Sequence, residues 1–275
     1  MNDSGTKATL QARRGRRLPT SLDGWIVGIA ILLIWEVGVR VGNVPAFLLP
    51  PPSAIAARLV RDYRLIGFHT LATSSEVLIG FFLSIVISIP LAALLAQFRV
   101  LERAVYPVLV ASQTIPKVAI APLLVVWFGF GETPKIIIAF LICFFPIVVD
   151  SLIGFRSVSK EVSWLAASMG ASRWKTFVHF HIPSALPNIF AGIKVASTLA
   201  IVGAVVAEFV ASERGLGYQL IIANGTLDVV LAFSALVILS LMGVALFTLV
   251  DVAERWMLPW HISHRADQID RVVER

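Results

Sequence analysis

The 275-residue chain holds a single cysteine, Cys143, so no disulfide can form within it. Cys143 lies inside an apolar run, where a thiol packs as a small hydrophobe. Charge is scarce, at 15% Asp, Glu, Lys and Arg against 57% hydrophobic residues. A soluble domain is usually about 45–50% apolar. There is no Gly-x-x-x-x-Gly-Lys-Ser/Thr phosphate loop, so the chain is not itself an ATPase. No paired carboxylates and no nucleophile–base set stand out, and no catalytic residue is assigned. His179 and His181 are two apart, which points them away from one another on a helix and argues against a metal site. No cofactor is expected. The net charge of +6 is not gathered into aromatic-rich basic stretches, which argues against nucleic acid. The gaps between apolar runs, about 41–72, 154–185 and 211–228, are shorter than an independent domain of about 50 residues.

What is abundant is long apolar sequence. Mean hydropathy is +0.85. A membrane helix needs about 20 mostly apolar residues, and six such segments are predicted. They run about Gly24–Val39, Thr73–Gln97, Ala104–Phe130 (broken by Pro116 and Pro122), Lys135–Ile153, Leu186–Val210 and Val229–Asp251. The expected fold is therefore an all-α integral membrane protein with six transmembrane helices. Arg13, Arg14, Arg16 and Arg17 precede the first apolar segment as in a secretory signal, but no small-residue cleavage site follows, and an uncleaved span is the expectation.

The basic residues orient the spans. With the N-terminus in the cytoplasm, that side holds Lys7, the four arginines, Arg99, Arg103, Arg156, Lys160, Arg173, Lys175, Arg255, Arg265, Arg271 and Arg275. The other side holds Arg40, Arg58, Arg61, Arg64, Lys135 and Arg214. The bias places both termini inside. The organisation expected is a cytoplasmic tail at 1–23, a transmembrane domain at 24–253 carrying a loop at 154–185, and a cytoplasmic tail at 254–275.

The 154–185 loop has two helical patterns divided by Gly170. Val162, Leu165, Ala166 and Met169 recur at the spacing of one helix face. Gly170 supplies a turn, and Ser172 caps a second helix predicted over Arg173–His181. Pro183 and Pro187 bound the entry to the fifth span. Two partners suit the apolar stripe: the membrane surface or the chain's own spans, and a groove on a cytoplasmic protein.

Trp164-Leu165-Ala166-Ala167-Ser168-Met169-Gly170, followed by Phe180-His181-Ile182-Pro183, resembles the EAA loop of ATP-binding-cassette (ABC) importer permeases. Ala166, Gly170 and Pro183 match in register, whereas Trp164, Leu165, Phe180 and Ile182 depart from it. With Trp164 in place of the acid, any acidic contact falls to Glu161. Phe47-Leu48-Leu49-Pro50-Pro51-Pro52-Ser53 and Gly215-Leu216-Gly217-Tyr218 resemble two segments of the nitrate, sulfonate and taurine branch, in the expected order. Read from the residues alone, both are backbone punctuation; docking of an external binding protein is the other reading.

The resemblance implies a type I ABC importer permease fold in a bacterial inner membrane. It implies a second copy of this chain, two copies of a separate ATPase, an extracytoplasmic solute-binding protein and a small-molecule substrate. The ATPase-coupling residues would be Glu161, Val162, Leu165, Ala166, Met169 and Gly170. The substrate would be a sulfonate, taurine or nitrate, or a pyrimidine-type vitamin precursor. Among intramembrane charges, Lys117 lies deepest, between Pro116 and Pro122, where a broken helix lines a cavity. With Gln113 and Thr114 it is the pathway candidate; packing is its alternative. Glu76, Asp150 and Glu208 lie near span ends and need no special role, and Lys194 is placed to snorkel. The rival class is a stand-alone secondary transporter or channel, which usually shows an internal repeat; no clear repeat is seen.

Overall fold

The computed structural model describes residues 20–260, and the basic N-terminal and C-terminal tails lie outside the described residues. The described residues form eleven α-helices: α1 Thr20–Val41, α2 Pro52–Arg61, α3 Tyr63–Gln97, α4 Arg99–Gln113, α5 Lys117–Phe128, α6 Glu132–Phe155, α7 Lys160–Ser168, α8 Arg173–Thr176, α9 Ile182–Ala211, α10 Leu216–Thr226 and α11 Val229–Met257. A π-helical turn at Phe177–His181 joins α8 to α9.

Four segments are long and apolar enough to cross a membrane: Tyr63–Gln97, Glu132–Phe155, Arg173–Val210 and Val229–Met257. The pair α4–α5 is bent by 97° and makes a fifth if it is one span. α1 spans 22 residues, with side chains described from Ile26 onward. The predicted third span is thus two helices, with Pro116 as N-cap of α5. Proline carries no N–H and disfavours helical backbone in the residue before it, so the chain turns there.

Two boundaries differ from expectation. The helix predicted from Thr73 starts at Tyr63, because polar side chains at His69, Thr70, Ser74 and Ser75 dilute the apolar run without disturbing the backbone. The second loop helix does not stop at His181. Pro183 falls in the first turn of α9, where its missing N–H breaks no helical bond, and the rod continues to Ala211.

The centre of the bundle is α6 against α9, with α3 beside them. Small residues set the spacing. Ala185, Ala196, Ala200 and Ala204 on α9 are completely buried, as are Cys143, Ile147 and Val148 on α6. Gly80 of α3 lies so close to α6 that a Cβ there would sit 2.7 Å from the Ala139 Cβ. Lipid supplies no hydrophobic drive for helices to associate, so close packing of small residues takes that role. The outward surface remains apolar: Ile34, Leu71, Phe82 and Val126 are all more than 65% exposed. Such a surface is untenable in water and suits lipid or partner chains.

Candidate functional site

The loop end of the bundle, where α3, α6 and α11 finish and α9 begins, carries α7. Glu161 sits in the first turn of α7, where a carboxylate complements the helix dipole. The helix closes in a paired C-terminal motif. Gly170 N donates to the Ala167 carbonyl at 3.0 Å, and Ala171 N donates to the Ala166 carbonyl at 3.0 Å. Gly170 holds φ +77°, which an L side chain resists. Ser172 Oγ then accepts from Lys175 N at 3.3 Å and caps α8, as the sequence predicts. The π turn is pinned to the end of α6: His181 Nδ1 lies 2.9 Å from the Phe155 carbonyl, and Phe155 stacks on Phe177 at 5.5 Å.

The loop candidates divide between two faces. Ala166 is turned into the protein and is buried. Leu165 and Met169 are 62% and 79% exposed, and Glu161, Val162 and Gly170 are also open. Trp164 and Trp174 stand exposed beside them, at 68% and 66%. Neither tryptophan is among the sequence candidates. The available signal was composition, since an exposed tryptophan is what a docking surface collects.

At the bend between α4 and α5, Gln113, Thr114 and Lys117 come together. Lys117 Nζ donates to the Gln113 carbonyl at 3.0 Å and lies 4.9 Å from the Phe145 ring centroid. Thr114 Oγ1 donates to the Ala111 carbonyl at 2.7 Å. Lys194 has acidic partners on α11. Its Nζ bonds Asp251 at 2.6 Å and also pairs with Glu254, tying α9 to α11.

The far end of the bundle holds a site that sequence reasoning missed. The N-terminus of α10 is capped by side chains from two other helices. Gly215 N donates to His69 Nδ1 at 2.9 Å, and Leu216 N donates to Thr73 Oγ1 at 2.8 Å. Gly217 N and Tyr218 N donate to Glu208 Oε2 at 2.5 and 3.3 Å. Thr73 in turn donates to Glu208 Oε1 at 2.6 Å. The amide donors that a helix start leaves without intrahelical partners are thereby satisfied, and the carboxylate sits at the positive end of the helix dipole. Gly215 is obligatory here: at φ +119°, its Cβ would fall 2.2 Å from the Glu208 carboxyl carbon.

Beside this cap, Lys135 and Glu76 form a buried ion pair, and Lys135 Nζ donates to Ser212 Oγ at 3.1 Å. Lys135 is buried, and Glu76 and Glu208, to which the sequence assigns no special role, take part in this packing. A buried pair of this kind is costly to break, because the survivor is left as an uncompensated charge. His69, Thr73 and Glu76, spaced four and three apart on α3, share one helix face. That spacing was the available signal. Among the described residues, no three His, Cys, Asp or Glu side chains gather as a metal set.

Comparison with known proteins gives this architecture its family. Residues 77–260 match the family described as binding-protein-dependent transport system inner membrane component. The chain is 40% identical over 261 residues to the riboflavin transport system permease protein RibX of Chloroflexus aurantiacus, covering 94% of this chain and 97% of that protein. It is 36% identical over 246 residues to the formylaminopyrimidine transport permease protein ThiX of Halalkalibacterium halodurans, covering 89% and 98%. It is 27% identical over 241 residues to the taurine transport system permease protein TauC of Escherichia coli, covering 85% and 88%. The chain thus belongs to the binding-protein-dependent transport family as a multi-pass inner-membrane permease of an ABC importer, a transport component and not an enzyme, which works with an ATPase and a solute-binding protein.

Proposed function

We propose that this permease hands a nitrogen-heterocyclic, vitamin-type solute across the membrane, and that the exposed face of α7 is where its ATPase takes hold. The observation carrying the second part is the helix Lys160–Ser168, ended by Gly170 and presenting Leu165 and Met169 outward. Glu161 and Val162 extend that face, and Ala166 seats the helix from beneath. Closure of two ATPase copies would draw the loops of two permease copies together. The continuity of Arg173–Val210 supports mechanical transfer, because the loop's second half and α9 are one rod.

Six spans are assigned, with α1 as the first and α4–α5 as the third. The loop end is cytoplasmic, as are the tails at 1–23 and 254–275, and 24–253 is the transmembrane unit. The ending of α11 at the loop end supports this orientation, together with the distribution of Lys and Arg. Gln113, Thr114 and Lys117 line the pathway at the α4–α5 bend.

The substrate reading rests on the gradient of similarity. Identity is 40% and 36% to the riboflavin and formylaminopyrimidine permeases against 27% to the taurine permease. The test has two arms. A cysteine at position 165, in a Cys143→Ala background, should cross-link to the ATPase, while one at exposed position 123 on α5 should not. Vesicles holding the whole importer should accumulate labelled riboflavin or an aminopyrimidine in preference to taurine. Absence of a cross-link at 165 removes the coupling face, and preference for taurine removes the substrate class.

A further inference from the structure

A cleft of about 730 Å³ opens at the loop end between the start of α4, the end of α6 and the start of α7. Its lining brings together Arg99, Arg103, Arg156 and Lys160 against a single acid, Glu102. Glu102 is itself taken by Arg156 in an ion pair. Among the described residues, no ion pair engages Arg99, Arg103 or Lys160, so the cleft keeps an excess of positive charge. Arg99, Arg103 and Arg156 belong neither to the coupling face nor to the pathway, and Lys160 opens the coupling helix α7.

The depth of the cleft selects the ligand. α3 ends at Gln97 and α6 at Phe155, so the cleft lies where two spans leave the hydrocarbon. On the cytoplasmic orientation proposed above, this is the headgroup level of the inner leaflet. The residues either side of Arg99 are apolar and open: Phe98 is 56% exposed and Val100 is 85% exposed. Cations at headgroup depth beside exposed apolar side chains match an amphiphile, with its phosphate in the cleft and its acyl chain over Phe98 and Val100. An acidic surface accounts for the cations alone, whereas an amphiphile accounts for the cations and for the exposed Phe98 and Val100. We infer that the cleft binds the phosphate headgroup of an anionic membrane lipid. The bound phosphate would bridge α4, α6 and the root of α7, stiffening the coupling helix against the spans.

The experiment compares the complete importer in nanodiscs of phosphatidylcholine alone and with phosphatidylglycerol added. The variant is Arg99→Gln/Arg103→Gln, which leaves the Arg156–Glu102 pair in place. Wild type should retain phosphatidylglycerol through purification and hydrolyse ATP several-fold faster in the anionic discs. The variant should retain less of the lipid and lose the rate difference. Inorganic phosphate added to neutral discs should not reproduce the effect; if it does, the occupant is a soluble phosphate and the lipid site is overturned. A wild type indifferent to lipid charge, or a variant that keeps both lipid and stimulation, also overturns it. So does loss of ATPase co-purification by the variant in neutral discs, which would assign the cleft to an acidic surface of the ATPase. The orientation on which the inference rests is read separately, by labelling a cysteine at position 170. External labelling there defeats the orientation, whereas protection from labelling with no lipid effect defeats the lipid site alone.

Discussion

Two glycine turns stand at opposite ends of the bundle, and they use glycine for different reasons. Gly170 and Gly215 both have positive φ, at +77° and +119°. A Cβ on Gly170 would meet nothing within 4 Å, whereas one on Gly215 would run into the Glu208 carboxylate. At the loop end, glycine serves the backbone alone and leaves the turn open. At the far end, it lets the start of α10 close around a buried carboxylate. On the proposal that the ATPase takes hold of α7, the open turn is a place for a partner, whereas the closed one is a fastening between helices. A motif containing glycine does not by itself say which.

The largest effect is expected at the closed turn. Gly215→Val combines strained backbone with a collision against a buried charged group, and should cost several kcal/mol. Detergent-extracted yield and thermal unfolding should both collapse. Near-normal yield would mean that the cap does not hold the far end together. Glu208→Ala should come next, since it leaves Gly217 N and Tyr218 N without their acceptor; about 2–3 kcal/mol is expected. Thr73→Val should cost less, on the order of 1 kcal/mol. If the two together cost much less than their sum, they act as one unit, which a double-mutant cycle reads directly.

The open turn should respond differently. Gly170→Ala carries a conformational cost of about 1 kcal/mol and no internal collision, so yield and unfolding temperature should hold. Transport should fall further than that cost explains if the ATPase packs against this position. Equal falls in stability and transport would make Gly170 a purely structural turn like its counterpart. The smallest effect on assembly is expected from Lys117→Leu, whose ammonium bonds one carbonyl and faces one ring. Uptake should drop severalfold with complex yield unchanged; unchanged uptake would take Lys117 out of the pathway.

The open turn was legible in the sequence, whereas of the closed one only the glycine punctuation at Gly215 and Gly217 was, because its partners are distant along the chain. The stripe at Val162 and Leu165, the stop at Gly170 and the cap at Ser172 all act within a few residues of one another. So does the break at Pro116 that gathers Gln113, Thr114 and Lys117. The far-end cap joins Thr73 to Glu208 across 135 residues and His69 to Gly215 across 146. No local pattern reports such pairings, so Glu208 reads as a charge near a span end. The pairing of Lys194 with Asp251, 57 residues away, is equally invisible to local pattern. Even within the loop, spacing identified Ala166 as part of one face without saying that it turns inward.

That inward turn decides which variant tests coupling. Ala166→Asp would bury a charge within the loop itself and report on folding. Leu165→Asp/Met169→Asp charges the open face and leaves the Gly170 turn and the Glu208 cap untouched. The measurement is ATP hydrolysis by the separate ATPase in vesicles containing the whole importer, with and without solute-loaded binding protein. If α7 is the coupling element, the double variant inserts normally, keeps its unfolding temperature and loses the solute-dependent rise in hydrolysis, with uptake lost alongside. Wild-type stimulation and uptake in that variant would contradict the assignment of α7 as the coupling element.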